Sequence, residues 1–350
     1  MQGKHISSVE DPIFEVRNTS VSFDMERGES RVLDEVSIDV DRGEILGIVG
    51  ESGSGKSMFA SALLDAIVDP GVLTGEITFH PSAESPVDLL QLSQSEIKQV
   101  RWEEIAMVFQ GAMSSFNPTM TIKSHFEETL SVHDMDIEQG MEHTEQLLSD
   151  LYLEPEQVLE SYPHELSGGM KQRALIALSL VLEPEVLVMD EPTAALDLLM
   201  QRSIIELVKE IATKRNLTVV FITHDLPLVA NLADRLAVLY AFEFVEIGPS
   251  YDVLTDAKHP YTRALLNSTP NLNTPREEMK PIEGSSPDPV SVPEGCSYHP
   301  RCPLADETCV EMDPPLESGG AREKHAAACH YAEDVSDAIS LTLQEVSRHE

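Results

Sequence analysis

The run ILGIVGESGSGKSMFASALLDAIVD (Ile45–Asp69) joins a continuous apolar stretch, a glycine-rich turn and apolar residues at helical spacing. Ile45–Val49 holds no polar side chain, as expected of a strand covered on both faces of a sheet. GESGSGKS (Gly50–Ser57) fits G-x-x-x-x-G-K-[ST], placed between strand and helix where that pattern cradles phosphate. Gly53 and Gly55 let backbone N–H groups wrap a β-phosphate at a helix N-terminus. Lys56 is placed to neutralise β/γ oxygens and Ser57 to ligate Mg²⁺ through its hydroxyl. Gly50, Ser52, Ser54 and Met58 complete the candidate nucleotide contacts. A plain glycine-rich turn with a surface lysine is the bland alternative, and it explains neither flank.

Working outward, IFEVRNTSVSF and RVLDEVSIDV alternate apolar and polar residues around a polar DMERGES turn, predicting antiparallel strands with one buried face. EVLVMDEP and LTVVFITHD predict two further buried strands with charged tips. The helices MKQRALIALSLVL and LMQRSIIELVKEIATKR alternate with them. The stretch from Gly111 to Glu165 is acidic, rich in Met and Gln, and expected to form an inserted helical subdomain. Such alternation predicts an α/β core with a mostly parallel sheet and a site along its carboxyl edge.

The strand tips carry the remaining chemistry. Asp190 suits an indirect contact to Mg²⁺, behind its ligands or through water, and Glu191 can accept a proton from water attacking a γ-phosphate. His224, in FITHD, could touch that phosphate and orient Glu191 or the water, although a strand-end histidine is also a common structural residue. Gln110, in AMVFQG, closes another apolar run. Its amide could reach Mg²⁺ or the water, and its place before the helical insert would let nucleotide state move that insert.

The 350 residues, 41% of them hydrophobic, suffice for one large α/β domain and a smaller one. Asp and Glu number 61 against 24 Lys and Arg, a formal charge of −37, and the acids are scattered along the whole chain. That distribution points to a salt-rich cytosol, where self-repulsion is screened, and it keeps net charge from excluding nucleic acid. No apolar run approaches the roughly 18 residues of a spanning helix, and Met1–Gly3 leads into KHISSVEDP instead of an export signal. A cytosolic chain is expected.

Beyond about Gly248 the composition turns to Pro, Ser and Thr, which predicts a linker and then a small separate tail module from about Pro281. The four cysteines all follow, as Cys296-x5-Cys302-x6-Cys309-x19-Cys329. Four thiols in a cytosolic chain favour metal over disulfides. Tetrahedral S₄ ligation suits Zn²⁺ or a [4Fe–4S] cluster, the paired C-x₂-C knuckles of zinc ribbons are missing, and free thiols are the remaining reading. His299, His325 and His330 lie nearby and are expected to be surface residues.

A second Ser-Gly-Gly corner, LSGGMKQR (Leu166–Arg173), lies more than a hundred residues after the first. With GESGSGKS, VLVMDEP and FITHD in this order, the chain resembles the ABC-type ATPases over most of Phe14–Gly248. The resemblance implies an ABC-type P-loop ATPase domain at 1–248. Within it are a mostly parallel core, an antiparallel β subdomain and a helical subdomain at about 111–165, and a C-terminal extension with linker and Cys-rich module follows at 249–350. It implies ATP and Mg²⁺ as ligands, real hydrolysis, and a second ATPase packed head to tail, whose ATP would be met by Ser167, Gly168, Gly169 and Met170. By the same resemblance Phe23 stacks on adenine, where Tyr or Trp is commoner, and a buried strand Phe is the competing reading. Asp197, in AALD, falls on the loop along the dimer interface.

RWEEIAMVFQGAMSSFNPTMTI, DEPTAALD, KHPYTRALLNSTP and GCSYHPRCPLADETC narrow the resemblance to the ATPase subunits of dipeptide and oligopeptide importers, over nearly the full length. That branch implies a peripheral protein on the cytoplasmic face of the membrane. Its partners would be two permease subunits, an extracellular solute-binding protein and a non-identical second ATPase, with no nucleic acid. In the tail it favours [4Fe–4S] over Zn²⁺. Two departures stand out: QGAM replaces the commoner Gln-Asp-Pro-Met, and Phe242 stands where glycine is usual. Import of di- or oligosaccharides and a soluble, permease-free ATPase are the alternatives.

Overall fold

The computed structural model describes residues 11–111, 115–194, 196–268, 282–318 and 325–341. Part of the QGAM departure, Ala195 of AALD and residues 269–281 of the expected linker lie outside them.

Strands β1 (Pro12–Met25) and β2 (Gly28–Asp41) form the expected antiparallel hairpin, with Val16 opposite Ile38 and Phe23 opposite Ser30. β4 (Val72–Phe79) pairs with the other edge of β1, and the short β5 (Val87–Asp88) follows, giving a four-stranded sheet ordered β2-β1-β4-β5. The second sheet contains β3 (Ile45–Val49), β6 (Ile105–Val108), β7 (Val186–Asp190), β8 (Thr218–Thr223), β9 (Arg235–Tyr240) and β10 (Glu243–Pro249). Its order is β11-β12-β10-β9-β3-β8-β7-β6, where β11 is Glu317–Ser318 and β12 Ala326–Ala327. Pairing is parallel from β9 through β3, β8 and β7 to β6, and antiparallel at β10 and beyond.

Side-chain alternation explains why this sheet must be covered on both faces. Leu46 and Ile48, Val186 and Val188, and Val220 and Ile222 point into a core shared with the antiparallel sheet, α1 (Lys56–Ala62) and the helical run α2 (Gln94–Glu103). Their neighbours Ile45 and Val49, Leu187 and Met189, and Val219 and Phe221 point into a second core. That second core takes in α3 (Ile122–Val132), α4 (Ile137–Asp150), α5 (Pro155–Glu160), α6 (Gly168–Leu180) and α7 (Leu198–Arg215). Burying each such Val, Leu or Ile contributes about 1.5–3 kcal/mol before the entropy of ordering is subtracted. The helical insert expected at 111–165 supplies α3–α5. Leu130 of α3 lies so close to Gly140 of α4 that a Cβ there would sit 2.5 Å from its Cδ2, which sets the closeness of that crossing.

The tail expected as a separate module is not separate. β12 extends the main sheet, with Glu246 opposite Ala327 and Ile247 opposite Ala326, and Arg31 N donates to Pro289 O at 3.0 Å. Of the histidines expected at the surface, His325 is buried. Its Nε2 lies 2.7 Å from Oε1 of the fully buried Glu246, whose carboxylate also accepts from the amides of Lys258 and His259. After β10 come α8's successors in sequence, α9 (Ser250–Thr255) and α10 (Pro260–Ser268), α8 itself being Leu226–Ala230 between β8 and β9. Among the described residues no helix is long and apolar enough to cross a membrane.

Candidate functional site

At the carboxyl end of β3 the chain turns through Gly50, Gly53 and Gly55, with φ of 159°, 83° and 108°. Gly55 is obligatory twice over: its φ is left-handed, and a Cβ would meet Val32 O at 2.5 Å. It also stands at the N-cap of α1 with no side-chain bond to the helix amides, which leaves those N–H groups for a ligand. The loop's open side is at Gly53, where an added Cβ meets nothing within 4 Å.

Lys56 is buried and its Nζ donates to Gly50 O at 2.9 Å and Glu51 O at 2.8 Å, so the ammonium ties together the loop it serves. Burial lowers its pKa, against the opposing pull of Glu191, Asp190 and Glu51. Asp190 ends β7 with 4% of its surface exposed. Burial raises its carboxyl pKa and Glu191 adds to the rise, while Ser57 and Lys56 draw it down. Its Oδ1 and the Oγ of Ser54 are buried and lack a hydrogen-bond partner among the described residues. A buried carboxylate oxygen with no donor, beside the exposed Ser57, is a fitting place for a hard cation such as Mg²⁺.

Glu191 follows directly, with φ +45° and its N–H donating to Ile222 O at 3.0 Å. Its two carboxylate oxygens are held from opposite strands. Gln110 Nε2 donates to Oε2 at 2.8 Å, and His224 Nδ1 lies 3.0 Å from Oε1. Three residues from three strand ends are therefore brought together on the same edge as the lysine loop. Ser52 and Ser57 are exposed, and Met58 is half-buried against the core under α1.

Phe23 lies near the end of β1, half-buried, with its ring against Gly71, where a Cβ would meet Cε1 at 2.7 Å. Ser167 caps α6, accepting from Met170 N at 3.3 Å; Ser167 is exposed, Gly168 half-buried and Gly169 buried against Met200. Asp197 caps α7 by accepting from the amides of Leu199 and Met200. Leu198 and Leu199 beside it are 74% and 79% exposed, an apolar tip of the kind that a partner covers.

Sequence reasoning missed the support beneath the loop. Glu51 N donates to the Tyr261 hydroxyl at 2.8 Å, and Tyr261, from KHPYTRALL, is fully buried against Tyr240 and Tyr298. Arg301 grips the Glu51 carboxylate with both terminal nitrogens, at 2.8 and 3.0 Å. The only available signal was HPRC beside a cysteine, which drew attention to the thiol instead of the guanidinium.

Cys296, Cys302, Cys309 and Cys329 line one cavity together with His259, His299 and His330, and all four are free thiols. Burial pushes Cys296 up to about 11 and Cys329 up to about 12, with Cys302 and Cys309 adding to both rises. The expectation of a ready-made ligand set is not met: among the described residues no group of three or more His, Cys, Asp or Glu is arranged to hold a metal ion.

Residues 33–194 match the ABC transporter family model, and residues 245–309 that of the oligopeptide/dipeptide transporter C-terminal region. The chain is 39% identical over 326 residues to the dipeptide transport ATP-binding protein DppD of Caldanaerobacter subterraneus, covering 92% of this chain and 98% of that one. It is 40% identical over 309 residues to the oligopeptide transport ATP-binding protein OppD of Bacillus subtilis, covering 87% and 85%. Among solved structures it is similar to the dimeric ABC transporter cassette MJ0796, with TM-score 0.58 and 27% identity over 68% of this chain and 98% of that one. It is also similar to cbiO1 of Clostridium perfringens, with TM-score 0.59 and 25% identity over 70% and 91%.

Proposed function

The chain belongs to the ABC transporter ATPases, in the branch of the dipeptide and oligopeptide transport ATP-binding proteins, and on that premise we propose that it hydrolyses ATP to power import of di- or oligopeptides. The observation that carries the reading is Glu191, whose carboxylate is bonded on one side by Gln110 and on the other by His224 beside the Lys56 loop.

In the mechanism this supports, the amides of Gly53–Ser57 and the Lys56 ammonium bind and orient the β- and γ-phosphates. Gln110 and His224 fix the carboxylate of Glu191 so that it accepts the proton of the attacking water at a defined oxygen. Ser57, Asp190 and Gln110 would hold Mg²⁺, which when bound neutralises charge on the phosphate oxygens. Phe23 offers a ring face to adenine. Ser167, Gly168, Gly169 and Met170 serve the nucleotide of a second ATPase subunit, for which a non-identical chain is favoured, and the exposed Leu198 and Leu199 beside Asp197 lie at that seam.

The working unit has two permeases and an external solute-binding protein, with this chain on the cytoplasmic face. Residues 1–248 form the ATPase domain, with the helical subdomain at about 111–165, and 249–350 the extension. Its four thiols are proposed to take up a [4Fe–4S] cluster, with Zn²⁺ as the alternative; their shared cavity supports this, and an anaerobic absorption spectrum with metal analysis decides it. Co-purification tests the whole reading: recovery of this chain with two polytopic membrane proteins and peptide-stimulated ATP hydrolysis is expected. A stable soluble complex without permeases would overturn it.

A further inference from the structure

Glu51 is an awkward residue for a phosphate loop. A carboxylate one position after Gly50 repels the polyphosphate that the loop must hold, and it draws on the same field that Lys56 supplies. The structure pairs this charge from a distance of 250 positions in sequence: Arg301 donates from Nη1 to Oε2 at 2.8 Å and from Nη2 to Oε1 at 3.0 Å. Ser286 Oγ, also from the extension, donates to Oε2 at 3.0 Å.

Arg301 is itself held fast. Its Nε donates to Glu283 O at 2.7 Å, its guanidinium lies 5.6 Å from the centroid of Tyr240 and 5.8 Å from that of Tyr298, and its side chain is 6% exposed. The planar fork suits two-point contact with a carboxylate, and an aromatic cage favours Arg over Lys. The backbone of Glu51 is fixed as well, with its N–H on Tyr261 and its carbonyl on Lys56. Burial opposes ionisation of Glu51, yet Arg301 and Ser286 hold its carboxyl below the usual range.

We propose that Arg301 is a positioning residue for ATP binding: it cancels the Glu51 carboxylate and, through that side chain, fixes the phosphate loop in its binding form. The extension thus supplies part of the nucleotide site without touching nucleotide. This rests on Gly50–Ser57 being the ATP loop, and a Lys56→Ala control separates the two claims, since it abolishes binding if the loop is rightly assigned.

The test is ATP binding to the full-length chain by calorimetric titration, with the KM and kcat of the transport assembly measured alongside. Arg301→Ala leaves the carboxylate uncompensated and is expected to raise the Kd and KM for ATP by about tenfold or more. The kcat at saturating ATP should stay within about twofold, because the lost interaction acts on binding and not on the chemical step. Glu51→Gln in the same chain should remove the penalty and return the Kd to within about threefold of Glu51→Gln alone. Wild-type affinity in Arg301→Ala, or a double variant as weak as Arg301→Ala, overturns the proposal; the second result would make Arg301 a mere staple for the extension. If Arg301→Ala does not fold, Arg301→Lys carries the test. A rise of about threefold that Glu51→Gln removes supports the role, and wild-type affinity contradicts it.

Discussion

Glu191 holds a backbone conformation that most side chains avoid, with φ +45°, at a place where the chain leaves a fully buried strand. Such a position costs about 1–3 kcal/mol and persists when surrounding contacts over-determine it. Here those contacts are the amide bond to Ile222 and the two side chains that grip the carboxylate. Glu191→Gln keeps the size and an oxygen to accept from Gln110, but cannot take a proton. ATP binding is therefore expected to survive while kcat falls by about 10²- to 10⁴-fold, read in a phosphate-release assay. Undiminished turnover would move the base elsewhere. The three residues were legible in the sequence because each ends an apolar run. Tyr261 and Arg301 were not, because they act through Glu51 from distant segments that no local pattern connects to it.

At the scale of elements, unbroken apolar runs made β3, β7 and β8 readable, and helical spacing revealed the insert. The tail was misjudged because β11 and β12 are two residues each, too short to show a pattern; β12 pairs with β10 and β11 pairs with β12. The β9–β10 hairpin shows a contest that composition alone does not resolve. Ala241 and Phe242 turn with φ of 48° and 77°, left-handed values that glycine adopts freely, yet Phe242 is only 3% exposed. Glycine at 242 would relieve about 1–3 kcal/mol of backbone strain but forfeit roughly 3–5 kcal/mol of buried ring. Burial wins, so Phe242→Gly should lower stability by about 1–3 kcal/mol in urea denaturation. A more stable variant would show that strain dominates the turn.

Across the whole molecule, one sheet edge gathers the lysine loop, Asp190, Glu191, Gln110 and His224, while Ser167 at the head of α6 bonds only with its own helix among the described contacts. Of the second Ser-Gly-Gly corner only Ser167 is exposed, and the proposed sharing of nucleotide with a neighbour would act through that residue. The chain's charge of −37 also acts at this scale: scattered like charges repel one another and salt screens that repulsion, so a melting temperature that rises with KCl is expected.

The most direct measurement is vanadate trapping of ATP, scored subunit by subunit, in the assembled pair with Ser167→Arg in this chain alone. Bulk and charge at that corner should abolish trapping in the neighbour's loop while this chain, purified by itself, binds ATP as before. Normal trapping in both subunits would contradict a nucleotide shared between two chains.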